Sequence, residues 1–86
     1  MKLEDTISLM CSDDYKDRLK AEYLQASIRL GKLNAYILEM PDQTSIEGQH
    51  MREQRNAMKY YVDALKTRLV DNGIPLKHIE YLLKEG

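Results

Sequence analysis

An apolar stripe running from Leu19 to Met40 constrains this chain more than any other feature. Leu19, Tyr23, Ala26, Leu30, Leu33, Ile37 and Met40 recur at spacings of four and three, the a/d seam of a supercoiling helix. A second line, Ala21, Leu24, Ile28, Gly31, Ala35 and Leu38, keeps the same rhythm on an adjoining face. A helix apolar over so wide an arc needs neighbours on more than one side.

The flanking residues set its expected limits at 12–40. Ser12 is a favoured N-cap, and Asp13 and Asp14 suit the positive end of the helix dipole. Pro41 disfavours helical geometry in Met40. Pro41-Asp42-Gln43 makes a tight connection, and Thr44-Ser45-Ile46-Glu47 fits a capping box led by Thr44. A second long helix is expected over 44–72, stopped by a left-handed Gly73. Its inner seam reads Met51, Arg55, Met58, Val62, Leu65 and Leu69, with Arg55 the polar exception. Leu3, Ile7 and Met10 predict a short amphipathic helix before the pair. Leu76, Ile79, Leu82 and Leu83 predict another over 75–84, with Pro75 acceptable at its start. No strand-like alternation competes. The expected fold is all-α, one domain over 1–86: a long antiparallel helical hairpin with short N- and C-terminal helices.

A hairpin alone leaves part of the stripe bare. Antiparallel pairing sets Leu33–Met40 against about Ile46–Gln54, which is mostly polar. Leu33, Tyr36, Ile37, Leu38 and Met40 would meet only Ile46 and Met51. Each large apolar side chain left in water forgoes about 1.5–3 kcal/mol. A small domain has about 5–15 kcal/mol in total. Either the flanking helices cover this end or a second copy does, and the pattern favours a homo-oligomeric bundle. The expected interface comprises Leu30, Leu33, Ile37, Leu38 and Met40. Gly31, costing about 1 kcal/mol within a helix, marks an expected close approach of backbones or of a ligand.

Composition narrows the function. Thirteen basic residues against fourteen acidic give a net charge of −1, which argues against general nucleic-acid binding. No apolar run reaches the roughly 18–20 residues that cross a bilayer, and Met1–Met10 carries Lys2, Glu4 and Asp5, unlike a secretory signal. Cys11 is the single cysteine, so no internal disulfide forms, and a cytoplasmic location is expected. There is no glycine-rich phosphate loop and no nucleophile elbow. The chain is therefore expected to be a binding protein without cofactor rather than an enzyme. Glu47-x-x-His50 has the spacing used in di-iron bundles, but the capping box accounts for Glu47, and Cys11 and His78 lack ligand-spaced companions. No metal is expected.

The best candidate site is the polar start of the second helix. His50, Gln54, Ala57, Tyr61, Ala64 and Arg68 share one flank, Arg52 and Lys59 share an outer line, and Arg55 lies on the seam. Arginine forks phosphate and stacks on bases, and tyrosine adds another stacking face. Tyr36, His50, Arg52, Gln54, Arg55, Lys59 and Tyr61 are the candidate ligand-binding residues, for an anionic, base-stacking pocket at a subunit junction. An ordinary solvated helix end explains the same residue types.

The layout of Pro41-Asp42-Gln43-Thr44-Ser45-Ile46-Glu47, followed by Ala57, Met58, Tyr60, Tyr61, Ala64, Leu65 and Arg68, resembles the helical-hairpin domain of phage anti-CBASS and anti-Thoeris nucleotide sponges. The Tyr15–Tyr23 opening is similar to small proteins of phages infecting Gram-positive bacteria. The resemblance covers about residues 12–76. It implies a non-enzymatic oligomer that sequesters cyclic oligonucleotide or cyclic ADP-ribose signals in the host cytoplasm, with Arg and Lys on phosphates and Tyr on bases. Asn56-Ala57 stands where the family has Glu-Ala, and the spacing from Glu47 is one residue short. The type of site transfers on this likeness, not a residue list. The competing readings are a phage inhibitor that docks a host protein through the apolar surface around Tyr36–Met40, and a purely structural oligomer.

Overall fold

A computed structural model of the chain describes residues 1–42 and 44–84; Gln43, expected in the interhelical connection, lies outside the described residues. A 3-10 turn, Leu3–Thr6, leads into α1 (Ile7–Met10); α2 (Tyr15–Glu39) and α3 (Ile46–Asp71) form the long helix pair; α4 (Leu76–Lys84) follows. The described residues contain helices and no strand.

The caps show how each long helix is started. Asp14, not Ser12, caps α2: its carboxylate accepts from the Lys16 N–H at 2.9 Å. Ser12 sits two residues ahead, accepting from the Asp14 N–H and donating to Asp17 Oδ2 at 2.9 Å. Ser45, not Thr44, caps α3, accepting from the Gly48 N–H at 3.0 Å. Thr44 is otherwise engaged: its N–H and hydroxyl both donate to Asp42 Oδ1, at 2.9 and 2.7 Å. The Thr44 hydroxyl hydrogen bond is the main cause that holds the Asp42 carboxyl below its ordinary value. The aspartate thus organises the turn, which leaves the next hydroxyl in the chain to meet the helix.

The stops follow from Pro41 and Gly73. Met40, ahead of the proline, is extended at φ −65°, ψ 129°. Gly73 takes φ +72°. Its N–H donates to the Val70 carbonyl and that of Ile74 to the Leu69 carbonyl, both at 3.0 Å, which closes α3 in a Schellman motif.

The core gathers at the end of the hairpin away from the connection. Leu19, Tyr23, Leu24 and Ala26 of α2 meet Val62, Leu65 and Leu69 of α3, with Ile74 and Ile79 added from beyond Gly73. Leu24 and Leu69 have no exposed surface. Leu9 from α1 and Leu76, Leu82 and Leu83 pack on this cluster. Burial also raises the Tyr23 phenol above its ordinary value. Lys66 and Glu80 pair at 3.4 Å across α3 and α4.

Two expectations are corrected here. The N-terminal segment does not bury Leu3, Ile7 and Met10 as one line: Ile7 and Met10 are half exposed, and Thr6 and Leu9 turn inward. Thr6 is wholly buried because its hydroxyl donates to the Leu3 carbonyl and accepts from Gln25 Nε2 at 2.9 Å. Gly31 marks no close approach within the chain, since a Cβ there would meet nothing within 4 Å. Ile37, expected at a subunit interface, is 3% exposed within the single chain.

Candidate ligand-binding face

α2 and α3 lie side by side, so each presents a flank to either side of the hairpin. Tyr15 and Arg68 fix one such side. The Arg68 guanidinium stands 5.9 Å from the Tyr15 ring centroid, donates to its hydroxyl, and reaches Glu22 at 3.9 Å. The Tyr15 hydrogen bond, first among the causes, holds Arg68 more firmly protonated.

Helical periodicity extends this side along both rods. Tyr15, Glu22, Arg29 and Tyr36 are spaced by seven and fall on one line of α2. His50, Gln54, Ala57, Tyr61, Ala64 and Arg68 follow at four and three along α3. All are exposed, Tyr36 at 58% and Tyr61 at 52%. The result is a long face carrying three tyrosines, two alanines, and charges of both signs.

The seven candidate residues divide among different sides. Tyr36, His50, Gln54 and Tyr61 belong to the face just described. Arg52 and Lys59 lie on the opposite flank of α3, in line with Lys66; Arg52 is half-buried, and Lys59 joins Asn56, Tyr60 and Asp63 around a recess of about 410 Å³. Arg55 is half-buried at the seam, where its Nη2 donates to Asn56 Oδ1 at 3.4 Å. Tyr36 also edges a recess of about 210 Å³ with Glu39, Met40 and Pro41. One chain therefore does not bring the seven together.

The expected interface residues also differ in what they offer. Leu38 is 83% exposed, Leu30, Leu33 and Met40 are half-buried, and Leu30 packs against the core. Leu38 continues a strip in which Ile28, Gly31 and Ala35 line a recess with Met1 and Leu83. Sequence reasoning overlooked Tyr15, Glu22 and Arg29 as parts of a face. The signal was present in their seven-residue spacing, but polar residues at that spacing also describe a solvated flank.

Among the described residues no group of three or more His, Cys, Asp or Glu could hold a metal ion, and no helix is long and apolar enough to cross a membrane. A family model described as Sequestin matches residues 13–71. That span takes in both long helices and omits α1 and α4. No curated protein and no solved structure matches the chain.

Proposed function

The chain belongs to the Sequestin family, and from that membership we propose that it is a phage-encoded anti-defence protein that holds a cyclic nucleotide immune signal without cleaving it. The observation that carries the reading is that the family match coincides with the helix pair, which holds every candidate ligand residue. The side-chain chemistry suits such a ligand. Tyr36 and Tyr61 offer faces for bases, and Arg52, Arg55, Lys59 and Arg68 offer charge for phosphates. His50 and Gln54 add hydrogen-bonding groups between them.

These groups point in several directions from one hairpin, so an enclosed site needs more than one copy. The protein therefore acts as a homo-oligomer in the host cytoplasm, and its work is binding rather than catalysis. The exposed Leu38 and Tyr36 are further surface that assembly would cover.

Isothermal titration calorimetry against cyclic di- and trinucleotides and cyclic ADP-ribose isomers tests the reading. Saturable binding at micromolar concentration or tighter is expected for at least one, with the ligand recovered unchanged in mass. Silence across the set would sink the proposal. Arg52→Ala and Arg55→Ala should each weaken binding without unfolding the protein.

A further inference from the structure

We propose that the strip Ile28, Gly31, Ala35 and Leu38 along α2 is the contact between two copies of this chain, their α2 helices crossing antiparallel at Gly31 and Ala35. This rests on the homo-oligomer part of the proposed function and names its surface and register.

Gly31 is exposed in the interior of a 25-residue helix, with nothing within 4 Å of the place a Cβ would take. It costs about 1 kcal/mol of helix propensity there, and nothing in its own chain uses the room it leaves. The same strip holds a knob and a hole. Leu38 stands out, 83% exposed. A recess of about 410 Å³ lies over Ile28, Gly31 and Ala35, walled by Met1 and Leu83.

A two-fold axis makes the knob and the hole fit each other. Ile28 and Leu38 lie five residues either side of position 33, and Gly31 and Ala35 lie two either side. An axis at that position sets Leu38 of each copy over Ile28 of the other, at the recess, and Gly31 against Ala35. The small residues then fall where the helices cross, and the large ones fall where they diverge and leave more room.

The edges of the strip agree with that register. Lys32 follows Gly31 and Glu39 follows Leu38, so both lie on one edge, which the axis lays against the same edge of the other copy. Helical side chains lean toward their own N-terminus. In an antiparallel pair this carries each Lys32 away from the other Lys32 and toward the Glu39 of the opposite copy. The second edge carries Ser27 and Asn34, which are uncharged.

The flanking elements stop where the contact starts. The N-terminal segment engages Gln25 through Thr6 and Met10, and Leu9 and Leu82 stand beside Leu24, one turn before Ile28. α2 of the incoming copy ends at Glu39, one residue past Leu38, so it stops where Met1 and Leu83 stand. α3 packs on a different side of α2, against Tyr23 and Ala26. Ile28 to Leu38 spans about 15 Å of helix, which places the contact in the small, transient class.

Sedimentation equilibrium of the full chain at submillimolar concentration reads the contact. Leu38→Ala and Gly31→Leu should each raise the dimer dissociation constant about tenfold or more, the first by emptying the recess and the second by crowding the crossing point. Lys32→Glu and Glu39→Lys should each raise it about threefold, since each sets like charges together at two symmetry-related places. The double variant K32E/E39K should restore it. Circular dichroism checks that every variant stays helical. Singles without effect, or a double no better than the singles, in a chain that still self-associates would overturn this contact while leaving the oligomer standing. A wild-type chain that sediments as a monomer would overturn both.

Discussion

The two ends of the hairpin are built on different terms. At the end remote from the connection, α2 and α3 are wrapped by α1 and α4, and Leu19, Leu24, Leu65 and Leu69 are excluded from water. At the connection end the two long helices have only each other. Ile37 and Gly48 are buried there, while Tyr36, Leu38 and Ile46 stay exposed. The stripe in α2 is equally apolar at both ends, so the difference lies in what the rest of the chain supplies. One end is a finished core, and the other is surface awaiting neighbours.

That contrast is broken or sharpened first by paired truncations. Leu69→Ala, at the closed end, should cost about 2–5 kcal/mol, since it leaves a cavity where nothing is exposed. Leu38→Ala, at the open end, should change the stability of the isolated chain by less than about 0.5 kcal/mol. Urea denaturation at low protein concentration measures both. A large loss at Leu38 under dilute conditions would mean that the open end is covered within one chain after all.

Hydrogen exchange reads the same contrast without substitution. Amides of α2 near Leu24 and of α3 near Leu69 should exchange only through global opening, whereas those near Tyr36 and His50 should open locally and faster. Equal rates at the two ends would remove the contrast.

The caps give a smaller effect with a clear sign. Ser45→Ala removes the acceptor for Gly48 N–H and should cost about 1 kcal/mol. Thr44→Ala loses hydrogen bonds to Asp42 in an exposed turn and should cost less. The reverse order in thermal melts would restore Thr44 as the cap.

Much of this architecture was legible because long helices repeat their signal. Seven turns of α2 define a seam beyond doubt, Pro41 and Gly73 stop helices for steric reasons, and the Leu76–Leu83 face points to α4. The misreadings fall where the signal is short. A four-residue α1 has too few turns for periodicity to choose its inner side, and the choice went to Thr6, whose partner Gln25 is a residue of α2 that local pattern cannot see. Thr44 and Ser45 are adjacent hydroxyls, and Asp42 decides between them. The candidate site was legible in residue type only. Whether Tyr36 shares a side with His50, Gln54 and Tyr61 depends on how α2 and α3 rotate against each other, and the Tyr15–Arg68 contact is what fixes that rotation.

Gly31 makes the smallest expected change and the most discriminating one. It lies in the interior of α2, exposed, with nothing within 4 Å of the position a Cβ would take. Gly31→Ala should therefore stabilise the isolated chain by about 0.5–1 kcal/mol, through reduced freedom of the unfolded chain and better helix propensity. Gly31 shares its strip with Ala35 and Leu38, and Leu38, two residues on from Tyr36, lies on the other side of α2 from the tyrosine face. If nothing outside the chain packs on this strip, the added methyl leaves association and ligand binding untouched while the melting temperature rises. If association or ligand binding weakens instead, the glycine is kept for a close approach by something outside the chain, and the open end has its occupant on the Leu38 side.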